Sequence, residues 1–81
     1  MTAKEAAKIL KNEYTDLSIV ECFEFSDFYA FGMAKKGAEH ELTAGGCFTI
    51  SKSDGKIGAI NPVLDYEVFS KGEPLDISIL D

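Results

Sequence analysis

Residues 17–34 read LSIVECFEFSDFYAFGMA, and this stretch decides the fold. In an extended chain successive side chains point to opposite faces. Leu17, Ile19, Phe23 and Phe25 then share one face, and Ser18, Val20, Cys22 and Glu24 the other. After Ser26-Asp27, a tight connection, Tyr29, Phe31 and Met33 alternate with Phe28, Ala30, Gly32 and Ala34. Two adjacent runs rich in aromatic and β-branched residues, split by a turn pair, predict a β-hairpin.

On the N-terminal side, Thr2 and Glu5 have the spacing of a capping box, in which each side chain takes the other's amide. Ala3, Ala6, Ala7, Leu10 and Tyr14 follow at three- and four-residue spacing, which predicts an amphipathic helix over 3–14. Its alanine-rich face lets it lie close against a sheet.

On the C-terminal side, residues 35–45 (KKGAEHELTAG) are polar and unpatterned, and read as a surface loop. Strand character resumes at 46–51, with Phe48 and Ile50 on one face. Asp54-Gly55 then predicts a two-residue hairpin turn with positive φ at Gly55, and Ile57 to Ile60 returns. Asn61-Pro62 predicts a helix start, with Asn61 as N-cap and Asp65 near the positive end. Leu64, Val68 and Phe69 are expected to face inward, and Lys71-Gly72 to end the helix. In 73–81, Leu75, Ile77 and Ile79 alternate with Asp76, Ser78 and Leu80, as in an edge strand or an extended arm. The fold class expected is α+β: an antiparallel meander of about four strands with an N-terminal and a C-terminal helix, in the order α-β-β-β-β-α(-β).

With 81 residues the chain has room for one domain, 1–81. The net charge is −6, the chain has no arginine, and 15–34 holds Asp16, Glu21, Glu24 and Asp27 without a base. Residues 59–81 set only Lys71 against Asp65, Glu67, Glu73, Asp76 and Asp81. Such a chain repels phosphate backbones and lacks the guanidinium fork that reads them, so no nucleic-acid partner is expected. No apolar run approaches ~18 residues, so no membrane span is expected either. Cys22 and Cys47 are too few for the disulfide framework of a small secreted domain, which points to a cytoplasmic protein with reduced, packed thiols.

The chemistry-bearing residues do not assemble into a motif. His40, the only histidine, lies in the polar loop between Glu39 and Glu41 and reads as solvated. One histidine and two distant cysteines do not make zinc spacing. Gly45-Gly46 precedes a strand rather than a helix, unlike a phosphate cradle. Phe23, Phe25, Phe28, Tyr29, Phe31 and Phe48 read as core. No catalytic, metal-binding or cofactor-binding residue is assigned, and the chain is read as non-enzymatic.

The segment GCFTISKSDGKIGAI (46–60) follows a recurring bacterial pattern: a strand ending in a small residue and lysine, an Asp-Gly turn, then Lys-Ile. With the preceding AAKIL helix and the aromatic hairpin, it resembles two groups. One is the YrhB-like immunity proteins of polymorphic toxin systems, and the other is small proteins of phage and mobile-element regions in Firmicutes. The resemblance spans 3–70. It implies a small α+β domain that binds and neutralises a cognate toxin, and it carries over no functional residue.

The functional expectation is therefore a protein-binding module, a toxin-immunity or mobile-element accessory protein acting on a basic partner through an acidic surface. Glu21, Glu24, Asp65, Glu67 and Glu73 are the candidate partner-binding residues, provided both acidic segments lie on one side of the sheet. The alternative is a small phage-associated structural or oligomeric subunit, dimerising through 75–80. An enzyme using cysteine with His40 ranks last.

Overall fold

The computed structural model describes residues 1–35, 47–61 and 63–80. The loop expected at 35–45, with His40 and Gly45-Gly46, lies almost wholly outside these residues, as do Pro62 and Asp81. The elements are α1 (Ala3–Glu13), β1 (Leu17–Glu24), β2 (Phe28–Lys35), β3 (Cys47–Ser51), β4 (Ile57–Ile60), α2 (Tyr66–Phe69) and β5 (Glu73–Leu75), followed by a 3₁₀ turn at Ile77–Leu80. All strand pairs are antiparallel, in the spatial order β4-β3-β2-β1-β5. This is the expected α+β meander, with β5 added outside β1. The folded surface of 5151 Å² is close to the roughly 4,800 Å² that chain mass alone predicts.

The capping box forms as its spacing predicts. Glu5 N–H donates to Thr2 Oγ1 (3.2 Å), and Thr2 N–H donates to Glu5 Oε1 (3.1 Å). It sets the start of α1, whose Ala3, Ala6, Ala7 and Leu10 are buried. These pack on Cys22, Tyr29, Phe31, Met33 and Ile50 of the sheet, together with Leu80. Fully burying side chains such as Leu10, Phe31, Met33 and Ile50 contributes roughly 1.5–3 kcal/mol each. Tyr14, the C-cap of α1, extends this layer by packing its ring on Phe48, centroids 4.8 Å apart.

The opposite face carries a second cluster of Phe25, Ala30, Cys47 and Ile60, with Phe23, Phe28 and Phe69 against it. Here the face expected for β1 needs correction. The β1–β2 register shifts between Ile19 and Glu21, a β-bulge at Val20. One surplus residue reverses the alternation beyond it. Leu17 and Ile19 therefore pack towards α1 together with Cys22, while Phe23 and Phe25 go to the far face.

The first hairpin turns at Ser26-Asp27 as expected, closed by Phe25 N–H donating to Phe28 O at 2.9 Å. The second differs from the two-residue turn. Its loop runs from Lys52 to Lys56, with Gly55 N–H donating to Ser51 O (2.9 Å) and Ser51 N–H to Lys56 O (3.0 Å). Gly55 has the expected positive φ, +72°. Asp54 Oδ1 accepts from Lys56 N–H (3.1 Å), which organises the loop around that glycine.

Asn61 caps the next turn as expected, its Oδ1 accepting from Val63 N–H (2.9 Å) and Leu64 N–H (3.2 Å). Asp65 Oδ2 returns to Asn61 N–H at 3.1 Å. The regular helix beyond is a single turn, so it can seat only one side chain on the sheet. That side chain is Phe69, between Phe23 (4.9 Å, edge-on) and Phe25 (5.9 Å). Leu64, expected to face inward, is exposed, and Val68, also expected inward, is about half exposed at the hollow over Phe28 and Ile60.

Candidate functional site

The tail creates the most distinctive surface feature. Glu73–Leu75 pairs with Cys22–Glu24 of β1 and then stops. Asp76 ends the strand because its Oδ1 accepts from Ser78 N–H (2.9 Å) and its carbonyl from Ile79 N–H (3.2 Å), which bends the chain into the 3₁₀ turn. That hydrogen-bonding holds the Asp76 carboxyl below the usual aspartate range, the Ser78 amide contributing most and its hydroxyl next. The bend drops Leu80 into the core under α1.

Leu17–Glu21 of β1 consequently has no strand on its outer side among the described residues. Leu17 N–H donates to Tyr14 O (3.3 Å), so its amide is turned away from β2, and Ile19, two residues on, shares that direction. Beside this edge runs a groove of about 690 Å³. Leu17, Ile19 and Leu80 give it apolar walls, Ser18 and Ser78 supply hydroxyls, and Lys11 and Asp76 set opposite charges on its sides. Apolar side chains beside outward-turned backbone groups are the recognition chemistry of an added strand. A smaller hollow of about 290 Å³ lies between α2 and the sheet, walled by Phe28, Ile60, Asp65 and Val68.

The five carboxylates expected to form one acidic surface are divided instead. Glu21 follows the alternation of Phe23 and lies across Gly32, where an added Cβ would sit 2.8 Å from Glu21 Oε2. Its face is the one shared with Cys47 and Phe69 of α2, and Asp65, the N-cap of α2, walls a hollow with Phe28 and Ile60 on that side, followed by the exposed Glu67. Glu24 follows Cys22 to the α1 face, where it meets Lys52 Nζ at 3.0 Å. Lys52 also stands over the Tyr29 ring, 4.8 Å from its centroid. Glu73 is the direct cross-strand partner of Glu24 and shares that face. Two groups on opposite faces, one of them held by a lysine, do not make a single negative docking surface.

The thiols are free, buried and on opposite faces of the sheet. Burial, with the Glu24 carboxylate adding to it, pushes Cys22 up to about 11, and burial with Glu21 likewise raises Cys47. Both are therefore protonated at neutral pH and poor nucleophiles. Among the described residues no three histidine, cysteine, aspartate or glutamate side chains gather to hold a metal ion. No helix among them is long and apolar enough to cross a membrane.

The distribution of charge along the sequence does not reveal the groove, which depends on where β5 stops. The signal was present in Asp76-Ile-Ser78, whose Asx turn breaks the alternation of the tail. Comparison with family models, curated proteins and solved structures finds no match to this chain.

Proposed function

We propose that this chain is a protein-binding module that takes an extended segment of another protein along the outer edge of β1. The single observation carrying the reading is the Leu17–Glu21 edge, which has no strand on its outer side among the described residues, beside a groove walled by Leu17, Ile19 and Leu80. An entering strand would find backbone partners on one side and apolar seats for alternate side chains on the other. The chain's net charge of −6 favours a basic partner through long-range steering rather than through one acidic patch. Neutralising a basic toxin domain, the role implied by the resemblance to immunity proteins, is one task such a module performs.

The test is an amide-shift titration with a short peptide alternating lysine and valine, beside a backbone N-methylated copy. The expected result is perturbation concentrated at Ser18–Glu21 and Asp76–Leu80, lost with the N-methylated peptide. Perturbation spread over both faces, or equal for the two peptides, overturns the reading.

A further inference from the structure

The two edges of the sheet are built differently. At β5 the edge is three residues long and carries Glu73 and Pro74. Phe25 N–H donates to Phe28 O, so odd-numbered residues of β1 beyond the bulge turn their amides to β2, and Cys22 and Glu24 face β5. Pro74, opposite Phe23, therefore occupies a position whose missing N–H would have pointed outward. Charge and proline are the usual protections of an exposed edge.

The β4 edge has neither. Its residues Ile57, Gly58, Ala59 and Ile60 are uncharged. Ser51 N–H donates to Lys56 O, so in this ladder Thr49–Gly58 and Cys47–Ile60 are the inward-bonded pairs. Ile57 and Ala59 turn their amides and carbonyls outward. In the segment that leaves this strand Val63, Leu64 and Tyr66 are 82%, 83% and 70% exposed, with Val68 at 47%. Single exposed apolar residues need no explanation, but four within six positions, following an edge that no strand covers among the described residues, do.

From this asymmetry we infer that the chain pairs with a second copy of itself through β4, with Ile57 of each copy opposite Ala59 of the other and Gly58 at the two-fold axis. Only outward-turned residues can bond across the junction, and this register joins all of them. Charge complementarity identifies the occupant. Lys56 alternates with Gly58 and Ile60, so its side chain lies on the face where Phe69 seats α2. Antiparallel pairing about an axis normal to the sheet keeps that face common to both copies. It places each Lys56 across from Ile60 of the other copy, which walls a hollow together with Asp65 at the start of the α2 segment that carries Glu67. The attraction occurs twice by symmetry, as an isologous interface requires. The junction lies at the far edge of the sheet from the β1 groove, so the two sites stand or fall separately.

Sedimentation velocity of the full chain, in a series reaching about 1 mM, tests the inference. The wild type is expected to pass from monomer to dimer. Ala59→Pro, which removes an outward N–H while sparing the ladder to β3, should remain monomeric with unchanged circular dichroism. Ile57→Lys, placing charge on the edge, should do the same and serves if the proline variant fails to fold. Lys56→Glu and Glu67→Lys should each weaken the dimer about tenfold, and the double variant K56E/E67K should recover it. A wild type that is monomeric throughout, a dimer indifferent to both edge variants, or a double variant without recovery each overturns the inference.

Discussion

Gly55 is the only described residue whose φ lies in the left-handed region. A Cβ there would also meet Ile9 Cδ1 at 3.3 Å and Met1 Cε at 3.5 Å. Gly55→Val is expected to lower stability by about 1 kcal/mol or more, because a β-branched residue tolerates positive φ badly. The check is a shift in the urea midpoint without a change in slope. The conformation was legible in Asp-Gly between alternating runs, whereas the loop length was not, since hydrogen bonds from Ser51 set it. The thiols give a second prediction at this scale. Burial and then Glu24 hold Cys22 up to about 11 against an ordinary 9.0, and burial likewise raises Tyr29, with Glu24 adding and Lys52 opposing. The unfolded chain thus releases these protons first, and the native state binds more of them as pH rises. Stability should therefore fall between about pH 9 and about pH 11, with Cys22→Ala reducing the slope. Urea midpoints across that range give the sign, and a rising midpoint contradicts it.

At the scale of elements, α1 was readable because it is local: a cap, a period and an alanine face. Thr2→Ala should cost about 1 kcal/mol by releasing the Glu5 amide, measured as a loss of thermal stability and of helix signal. The residue-2 amide, the main group holding the Glu5 carboxyl below its ordinary value, stays in this variant, and only the smaller contribution of the hydroxyl is lost. Retention of both signals would contradict the capping role. The second helix shows where periodicity misleads. Its inward residues were expected from spacing over a long helix, but a single turn presents only one side chain to the sheet. Phe69→Ala is accordingly expected to destabilise by about 2 kcal/mol, through loss of its burial against Phe23 and Phe25. Leu64→Ser at high dilution should stay within about 0.5 kcal/mol of wild type. Equal effects of the two substitutions on the denaturation midpoint would reject this packing.

For the whole molecule, the meander could be read from turn residues and alternation, but the placement of the tail could not. Its alternation suits a strand, yet only Glu73–Leu75 is paired. Asp76 then diverts the chain, and Leu80 closes the core that α1 and the sheet begin. That contact joins residues far apart in sequence, so no local pattern announces it. Leu80→Ala should cost about 2–3 kcal/mol, as truncation of a buried leucine does, and should loosen α1. Calorimetry combined with hydrogen exchange at Ala6, Ala7 and Leu10 reads both effects. A truncation at Leu80 that leaves exchange in α1 unchanged would show that the tail merely rests on the surface. Leu75 and Leu80 are thus engaged within the chain, and Ile77 and Ile79 are the exposed apolar residues left for a partner in the segment expected to dimerise.

The bulge at Val20 has a consequence for what sequence change this strand can absorb. On either side of it β1 is written in opposite phase, with Leu17 and Ile19 in one frame and Cys22, Phe23 and Phe25 in the other. Substitutions within either half leave the other's frame intact, so the groove-lining half can diversify while the half carrying β5 stays fixed. Deleting Val20 is a different event, because it forces both halves into one frame. Either Leu17 and Ile19 leave α1, or Phe23 and Phe25 leave Phe69 and Cys22 leaves the core. A one-residue deletion here should therefore be far more damaging than any replacement of the same valine, and a deletion scan along β1 should show its deepest loss of folded protein at this position.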